Sequence, residues 1–385
     1  MAASPRFGDD VEFLRRHTET VVLAGEGGAR VALCPALQGR VAVSAAAGEG
    51  GASFGWLNRA LIASGTLAPH MNVYGGADRF WLGPEGGPFS LFFAPGAPQD
   101  LAHWQTPAPI DAEPFALAEA ARHRALLRKA MRLTNAAGTV FELEVAREVR
   151  LYPDAEIWQV AGVAARAGVT AVGFETRNRV TNTGAAAWRR ETGLVSIWIA
   201  GTFAPSPATT IVLPLGPGAG PAVNDRYFGR VPAERLLETD RAVYYHADGQ
   251  QRGKIGIPPG RARPALGSYD ARGPNAGVLT IVTFTLPVGA RDYVNSLWGP
   301  QAAPYDGDAV NAYNDGPAAP GAAPFGPFYE LETSSPALAL RPGTSAEHLH
   351  RTLHFTGAPA DLDAVARAAL GVGVAEIAAA FGRAP

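Results

Sequence analysis

The chain has 385 residues, of which 47% are hydrophobic and 18% are charged. This composition allows a large buried core and argues against disorder, and the length suits one large β domain or two ordinary domains. The formal net charge of -2 argues against a nucleic-acid partner, which would favour a basic stripe. Cys34 is the only cysteine, which excludes an intramolecular disulfide and a multi-cysteine zinc site.

Near the N-terminus the pattern predicts one short helix and then a meander of strands. Residues 10–17 are typical of a helix, and 56–62 of one or two helical turns. The runs 20–24, 30–34 and 40–44 are short, β-rich and separated by turns, as antiparallel strands are. The first eighteen residues contain no apolar stretch, and no run approaches the length of a membrane span. We therefore expect a cytoplasmic protein without a membrane partner, unless a leader has been removed.

The middle of the chain is ambiguous by composition alone. Residues 117–131 are rich in Ala, Leu and Arg, which favours a helix by propensity. Residues 139–151, however, alternate almost strictly, with Arg147 as the exception on the apolar face, and 135–138 suits a hairpin turn. We therefore predict strands throughout this region. Further strands are predicted at 89–93, 157–164, 169–181, 193–199, 209–215, 242–246 and 277–286.

The C-terminal part predicts a helix after the last strand. Apolar residues recur at helical spacing over 360–381, and Gly371 and Gly373 weaken this helix and could split it in two. Only residues 356–359 separate it from the preceding strand, so we expect it to pack on the sheet. The chain is predicted to be one all-β sandwich domain, 1–385, with this C-terminal helix.

A late segment, 326–336, predicts a strand with two carboxylates on one face. Side chains alternate across a strand, so Glu330 and Glu332 share a face and repel each other unless a cation or a ligand lies between them. The next strand places three histidines on one face. These are His348, His350 and His354. Titratable groups beside a carboxylate pair suit acid/base chemistry or polyol binding, and a solvated strand face is the alternative.

Residues 70–87 form a loop dense in polar groups, aromatic rings and glycines, a combination that lets a backbone approach a ligand. Its candidate site residues are His70, Asn72, Arg79, Trp81 and Glu85. Each has a structural alternative, because a histidine also caps turns, a tryptophan also fills a core, and charged pairs also form internal salt bridges. Lys254 is more typical of a strand surface than of a charge partner for Glu332.

No cofactor is expected. Four oxygen-bearing side chains lie at a short spacing that would suit Ca²⁺, although they do not follow the EF-hand order. They are Asp306, Asp308, Asn311 and Asp315. His348 and His350 with a glutamate would suit a transition metal.

Six segments carry a family resemblance: 38–41, 53–59, 74–87, 180–184, 313–316 and 328–336. Together they resemble a bacterial family of unknown function that is expected to share the galactose mutarotase-like fold, a β-supersandwich that binds sugars on its concave face. The wider superfamily includes aldose 1-epimerases and also domains of polysaccharide lyases and glycosidases, so the fold does not fix the function. The resemblance implies a mono-, oligo- or polysaccharide as the partner.

The resemblance also implies roles for particular residues. Aldose 1-epimerases use a late-strand glutamate as base on the anomeric hydroxyl, and Glu332 lies in a segment similar to theirs. The pair Asn58 and Arg59 resembles their sugar-binding Asn-Arg pair, although a buried strut would explain the arginine equally well. Their central histidine motif has no clear copy, so His70 and then His246 are the candidates for the acid.

We therefore predict a carbohydrate-active protein with acid/base chemistry at an anomeric carbon, in which Glu332, or Glu330, is the base. The candidate substrate-binding residues are Asn58, Arg59, Asn72, Arg79, Trp81, Glu85, Lys254, Asp308, Asn314 and His350. One alternative is a glycoside hydrolase or polysaccharide lyase, in which Asp306, Asp308 or Asp315 supplies a second acid. The other is a non-catalytic sugar-binding module.

Overall fold

The computed structural model describes residues 5–218, 222–318 and 321–382, and within them the chain is built mainly from β-strands. The strands are β1 (Val21–Ala24), β2 (Arg30–Cys34), β3 (Arg40–Ala45), β4 (Arg79–Gly83), β5 (Ala116–Ala120), β6 (Arg124–Thr134), β7 (Val140–Leu151), β8 (Thr170–Asn182), β9 (Ser196–Phe203), β10 (Thr209–Pro214), β11 (Leu236–Glu238), β12 (Ala242–His246), β13 (Gly253–Ile257), β14 (Ala265–Gly273), β15 (Ala276–Phe284), β16 (Val310–Asn314), β17 (Tyr329–Ser334) and β18 (Ser345–Gly357). The α-helices are α1 (Phe7–His17), α2 (Arg59–Ser64), α3 (Ala108–Asp111), α4 (Asp154–Ala161), α5 (Pro359–Leu370) and α6 (Val374–Ala379).

The strands form three sheets. A small sheet has the order β1-β2-β3, a ten-stranded sheet has the order β11-β12-β10-β14-β15-β18-β8-β7-β6-β5, and a five-stranded sheet has the order β13-β16-β17-β9-β4. The predicted hairpin is present, since β6 pairs antiparallel with β7 around the turn at 135–138. The all-β class with a C-terminal helix is thereby confirmed.

The five-stranded sheet packs against the ten-stranded sheet through alternate residues of β17. Tyr329 and Leu331 are buried in the core, and the Tyr329 hydroxyl lies 2.8 Å from Ser268 Oγ of β14. Thr333 continues this face and reaches the histidines of β18. Since side chains alternate along a strand, Glu330 and Glu332 lie on the opposite face of the five-stranded sheet.

The histidine row of β18 is buried between the two sheets, so the alternative of a solvated strand face was wrong. Thr333 Oγ1 lies 2.8 Å from His348 Nε2 and 2.9 Å from His350 Nδ1. Burial lowers the pKa of His348 to about 3 and that of His350 to about 4. His354, farther along the row, stacks on Phe54 with 4.5 Å between ring centroids. The row is therefore neutral, and the backbone of β17 separates it from the two glutamates.

Arg147, the exception on the apolar face of β7, is fully buried and ion-paired. Its Nη2 donates to the carboxylate of Asp78, which precedes β4, and its Nη1 donates to Asn178 Oδ1 at 2.6 Å. Thr176 Oγ1 donates to the other oxygen of Asp78 at 2.8 Å. A buried charge persists when it is paired and hydrogen-bonded, so this network explains the break in the alternation.

Helices cover the other face of the ten-stranded sheet. Leu362, Val365 and Leu370 of α5 are buried in a cluster with Leu353 and Phe355 of β18. The C-terminal helix is split as its glycines suggested. Gly371 ends α5 in the left-handed conformation with φ 74°, and Gly373 is the N-cap of α6. No helix of the described ranges is long and apolar enough to cross a bilayer.

Two predicted strands were wrong. The run 157–164 lies largely in helix α4, because a short apolar run fits a buried helix as well as a strand. Residues 89–93 form bends without strand pairing, although Leu91, Phe92 and Phe93 are buried. Their apolar character marks core contacts and not a sheet.

Candidate functional site

One face of the five-stranded sheet gathers polar side chains from all five strands. Directly opposed residues of paired strands point to the same face. Glu332 lies opposite Asn311 of β16 and Ala200 of β9, and Ala200 lies opposite Arg79 of β4. Glu330 belongs to the next row. That row contains Lys254, Tyr313, Glu330 and Thr202. A third row contains Ser334, Trp198 and Trp81.

Glu332 is completely buried, and two donors hold it. Its Oε2 accepts hydrogen bonds from Lys254 Nζ and from Trp198 Nε1, both at 2.8 Å. The Lys254 ammonium also lies 4.5 Å from the centroid of the Trp198 ring. The other oxygen, Oε1, has no hydrogen-bond partner among the described residues. Lys254 is thus a buried charge partner of Glu332, whereas the sequence favoured a surface position for it.

Glu330 faces a different cation, Arg79. The Arg79 Nη2 atom lies 3.5 Å from Glu330 Oε1, and Thr202 Oγ1 donates to the same oxygen at 3.2 Å. Burial raises the pKa of Glu330, Arg79 opposes this, and the charge of Glu332 adds to it. The guanidinium of Arg79 lies 3.6 Å from the centroid of the Trp81 ring.

Asp308 is a third carboxyl group beside Lys254. Its Oδ2 accepts a hydrogen bond from Asn224 Nδ2 at 2.8 Å and another from the Tyr227 hydroxyl. Burial raises the pKa of Asp308 to about 6, against the lowering effect of these hydrogen bonds and of Lys254. Asn311, the residue opposite Glu332, donates to the Tyr227 hydroxyl at 3.1 Å. Hydrogen bonds through Tyr227 therefore connect Asp308 with Asn311, the residue opposite Glu332 in the strand register.

Arg79, Lys254 and Glu330 border a cleft of about 630 Å³, its open mouth included. Aromatic rings form much of its wall, namely Trp81, Trp104, Trp198, Tyr313 and Phe328. At its edge Phe228 and Phe325 are 43% and 38% exposed, so both can contact a ligand. Glu85 also lines the cleft and accepts a hydrogen bond from Trp298 Nε1 at 3.2 Å. Burial raises the pKa of Glu85.

The structure brings five of the predicted site residues together along the cleft: Glu330, Arg79, Trp81, Glu85 and Lys254. Glu332 is buried behind Lys254 and Trp198. Asp308 lies in an adjoining small pocket. Asn72 also lines the cleft, but its side chain donates to Asp111 Oδ2 at 2.7 Å and accepts from the backbone of Ala68 at 2.8 Å. The side-chain hydrogen bonds of Asn72 therefore stabilise the conformation of its own loop.

The Asn-Arg pair stands apart from this group. Asn58 caps α2 by accepting a hydrogen bond from Leu61 N at 3.1 Å. Arg59 donates to the buried carboxylate of Asp10, and its guanidinium lies 4.5 Å from the centroid of the Phe13 ring. Asn58 lines a second, neighbouring pocket. Arg59 pairs with the buried Asp10 but is itself exposed, so it is not the buried strut that the sequence offered as an alternative.

All eight histidines lie within the described ranges, and none lines the cleft. His70 is exposed, borders the neighbouring pocket and lies 2.7 Å from the Trp104 carbonyl oxygen. His246, in β12 of the ten-stranded sheet, lies 3.2 Å from the Pro207 carbonyl oxygen. His350 belongs to the buried row on the far side of β17.

Asn314 fixes a nearby loop. Its Nδ2 donates to the Gln251 carbonyl and its Oδ1 accepts from Gly249 N, both at 2.9 Å. Among the described residues no group of three or more His, Cys, Asp or Glu side chains could hold a metal ion. Asp315, one of the oxygen ligands considered for Ca²⁺, instead accepts hydrogen bonds from Tyr313 Oη and Gly326 N.

Sequence reasoning missed Trp198, Tyr227 and Arg40 as members of the site. A signal for Trp198 was present, since it alternates with Ile197 and Ile199 and so had to lie on the opposite face of its strand. Tyr227 and Arg40 gave no such signal, because loop contacts and a buried arginine follow no period.

Residues 5–381 match the model of a family of unknown function, DUF6786. The chain belongs to this family. The resemblance to a family of unknown function is thereby confirmed. No curated protein matches the chain at a significant level.

The chain is similar to several solved structures at low identity. A galactose mutarotase-like protein from Lactobacillus casei has 11% identity and a TM-score of 0.47, with 88% of this chain and 100% of that chain covered. A galactose mutarotase related enzyme from Lactobacillus acidophilus has 9% identity and a TM-score of 0.46, with 88% and 97% covered. An aldose epimerase homologue from C. elegans has 9% identity and a TM-score of 0.42, with 89% and 99% covered.

Proposed function

We propose that this protein is a carbohydrate-active enzyme that transfers protons at the anomeric carbon of a sugar, as an aldose 1-epimerase does. The observation that carries the proposal is the Glu332 carboxylate. Lys254 and Trp198 hold its Oε2, while Oε1 has no partner among the described residues. A general base needs a defined position and an available lone pair, and this carboxylate has both.

Asp308 is the proposed general acid, in place of the histidine that the family resemblance implied. Burial raises its pKa to about 6, so a fraction of the molecules carries a proton on Asp308 near neutral pH. A carboxyl group that keeps its proton near neutral pH suits a general acid. Asn311 and Tyr227 connect Asp308 with the row of Glu332, which keeps both groups on one side of the sheet.

In the proposed reaction Glu332 takes the proton of the anomeric hydroxyl, the bond between C1 and the ring oxygen breaks, and Asp308 gives its proton to the ring oxygen. Rotation about the C1–C2 bond of the open aldehyde and the reverse transfers then form the other anomer and return both protons. Because Glu332 is buried, Lys254 has to move aside or the substrate has to enter beside it. The exposed rings of Phe228 and Phe325 offer apolar faces for a sugar ring.

The test is proton NMR of anomer exchange over a panel of neutral and acidic aldoses. We expect the wild type to accelerate exchange, and Glu332→Gln and Asp308→Asn to lose about 10²-fold or more of that acceleration. Glu144→Gln is the matched control, because Glu144 is exposed on β7 and pairs with Arg128. Equal rates for the wild type and Glu332→Gln would remove Glu332 from the mechanism. Calorimetric sugar binding without turnover would make the protein a sugar-binding module.

Glycoside hydrolysis is the second candidate, favoured by the same raised pKa of Asp308, since a glycosidase pairs a protonated carboxyl group with an ionised one. Release of reducing ends from a polysaccharide panel, lost in both Glu332→Gln and Asp308→Asn, would select this reaction over anomer exchange.

A further inference from the structure

Three hydrogen-bond donors in the cleft have no acceptor. Arg79 Nη1, Trp81 Nε1 and Trp104 Nε1 are buried, belong to residues that line the cleft, and make no hydrogen bond with the described residues. A guanidinium and an indole N–H can only donate. A buried donor left unpaired lowers stability, so such groups in a native structure need an explanation. Acceptor atoms supplied by a ligand would satisfy all three.

Two arginines of the same cleft make no short ion pair with the described residues. Arg40 also lines it, and its hydrogen bonds go to the carbonyl oxygens of Leu37 and Gly75. Arg40 forms no ion pair with the described residues, and burial, together with the charge of Arg79, lowers its pKa to about 10. Arg79 has one carboxylate partner, Glu330, at 3.5 Å. The buried carboxyl groups of Glu85 and Asp111 lie within electrostatic range of Arg79, and that of Asp111 also within range of Arg40. Neither carboxyl group forms an ion pair with these arginines, and burial raises the pKa of both.

Lys254 differs from these two arginines, because Glu332 offsets its charge at 2.8 Å. The weakly paired cations of the cleft are therefore Arg40 and Arg79. A buried cation without a counter-charge is costly, and a bound anion removes that cost. The planar guanidinium also matches the geometry of a carboxylate or a phosphate, to which it donates two parallel hydrogen bonds.

We infer that the cleft recognises a sugar that bears an anionic group, a carboxylate or a phosphate, whose oxygens accept hydrogen bonds from Arg79 and Arg40. The sugar itself rests on the proposed function, whereas the anionic group rests on the unpaired donors and on the two arginines. The inference narrows the substrate class to acidic sugars.

The test is calorimetric binding to the full chain of matched sets: galactose, galacturonate and galactose 6-phosphate, and the corresponding glucose set, with inorganic phosphate added as a separate ligand. We expect at least one acidic sugar to bind about tenfold or more tightly than its neutral counterpart, and the difference to shrink with added salt. Comparison of the uronates with the phosphates identifies which anionic group is preferred.

The outcomes separate the two hypotheses. Equal affinity for the neutral and acidic members of every set would overturn this inference and leave the proposed function standing. Binding of inorganic phosphate with no binding of any sugar would contradict the proposed function, and with it the acidic sugar. Anomer exchange that is accelerated only for acidic sugars would support both the proposed function and this inference.

Variants of the donors give an independent measurement. Arg79→Gln is expected to lose the preference for the acidic sugar, and Arg79→Lys, which keeps the charge without the fork, to lose part of it. Arg132→Gln is the control, because Arg132 is an exposed arginine of β6. Trp104→Phe keeps a ring and removes one donor, so it tests the inference if Arg79→Gln does not fold. Unchanged affinity for the acidic sugar in both Trp104→Phe and Arg79→Lys would overturn the inference.

Discussion

Glu330 and Glu332 lie on one face of β17, yet each faces its own cation. Arg79 of β4 lies 3.5 Å from Glu330, and Lys254 of β13 lies 2.8 Å from Glu332. Two carboxylates at this spacing repel each other, and the cations of the two edge strands offset that repulsion. The acidic pair is therefore stabilised by strands at opposite edges of the five-stranded sheet.

The Lys254–Glu332 pair predicts a strong effect on stability. Lys254→Met leaves a buried carboxylate without its counter-charge, so we expect the free energy of unfolding to fall by about 3–5 kcal/mol. Urea denaturation followed by circular dichroism measures this change. In the double variant with Glu332→Gln the loss should be much smaller than the sum of the single losses. Additive losses would show that the two residues do not stabilise each other.

The acid role of Asp308 predicts a pH profile. With a pKa of about 6, Asp308 loses its proton as the pH rises through this value, so kcat/KM for anomer exchange should fall above pH 6. Asp308→Asn should remove this limb together with about 10²–10⁴-fold of the rate. Initial rates between pH 5 and 8 provide the check. A flat wild-type profile over this interval would argue against Asp308 as the proton donor.

Substitution of Gly256 in β13 is expected to affect the position of Asp308. A Cβ at this position would lie 2.1 Å from Asp308 Oδ2 and 2.7 Å from Asn311 Nδ2. Gly256→Ala should therefore displace Asp308 and lower kcat/KM about tenfold or more, since small misplacements in an active site are costly. Gly50→Ala, where a Cβ would meet nothing within 4 Å, is the control and should keep full activity. Full activity of Gly256→Ala would mean that the position of Asp308 is not critical.

The buried histidines predict acid-sensitive stability. His348 and His354, each with a pKa of about 3, and His350, with a pKa of about 4, are neutral when folded and take up protons near pH 6.5 when unfolded. Below pH 6.5 the unfolded state binds more protons than the folded state, so the free energy of unfolding falls as the pH falls from 6.5 towards the folded-state pKa values. Above pH 6.5 both states are neutral at these histidines and stability is unaffected by them. At pH 5 each histidine lowers the free energy of unfolding by about 2 kcal/mol.

Urea denaturation at pH 7.5 and pH 5.0 measures this effect. Buried carboxyl groups with a raised pKa, among them Asp308, Glu85 and Glu330, act in the opposite direction, so the comparison of the wild type with a histidine variant isolates the histidine effect. His354→Phe preserves the stacking against Phe54 and removes one titrating group, so the difference between the two pH values should shrink. If the free energy of unfolding differed between the two pH values by the same amount in the wild type and in His354→Phe, His354 would not contribute to the acid sensitivity.

Local patterns predicted much of the fold. The alternation of β7 and the turn at 135–138 identified a hairpin that composition alone would have made a helix. Gly371 and Gly373 marked where the C-terminal helix divides. The helix α4 was missed because its apolar run is too short for its period to be distinguished from that of a buried strand.

The site was predictable only in part. Alternation placed Glu330 and Glu332 on one face, but their partners come from distant parts of the chain. Trp198 precedes Glu332 by 134 residues and Lys254 precedes it by 78 residues. Such contacts depend on the order and register of the strands, which local periodicity does not specify. For the same reason, the position of His350 behind β17 was not apparent from the sequence.

The two faces of strand β17 carry side chains of different kinds. Glu332 is buried on the side that faces the cleft, and the next residue, Thr333, hydrogen-bonds to two buried imidazoles on the other side. One backbone carries both side chains, so a repacking of the interior around Thr333 also shifts the carboxylate. Substitutions around Thr333 could therefore shift the Glu332 carboxylate without changing any residue that lines the cleft.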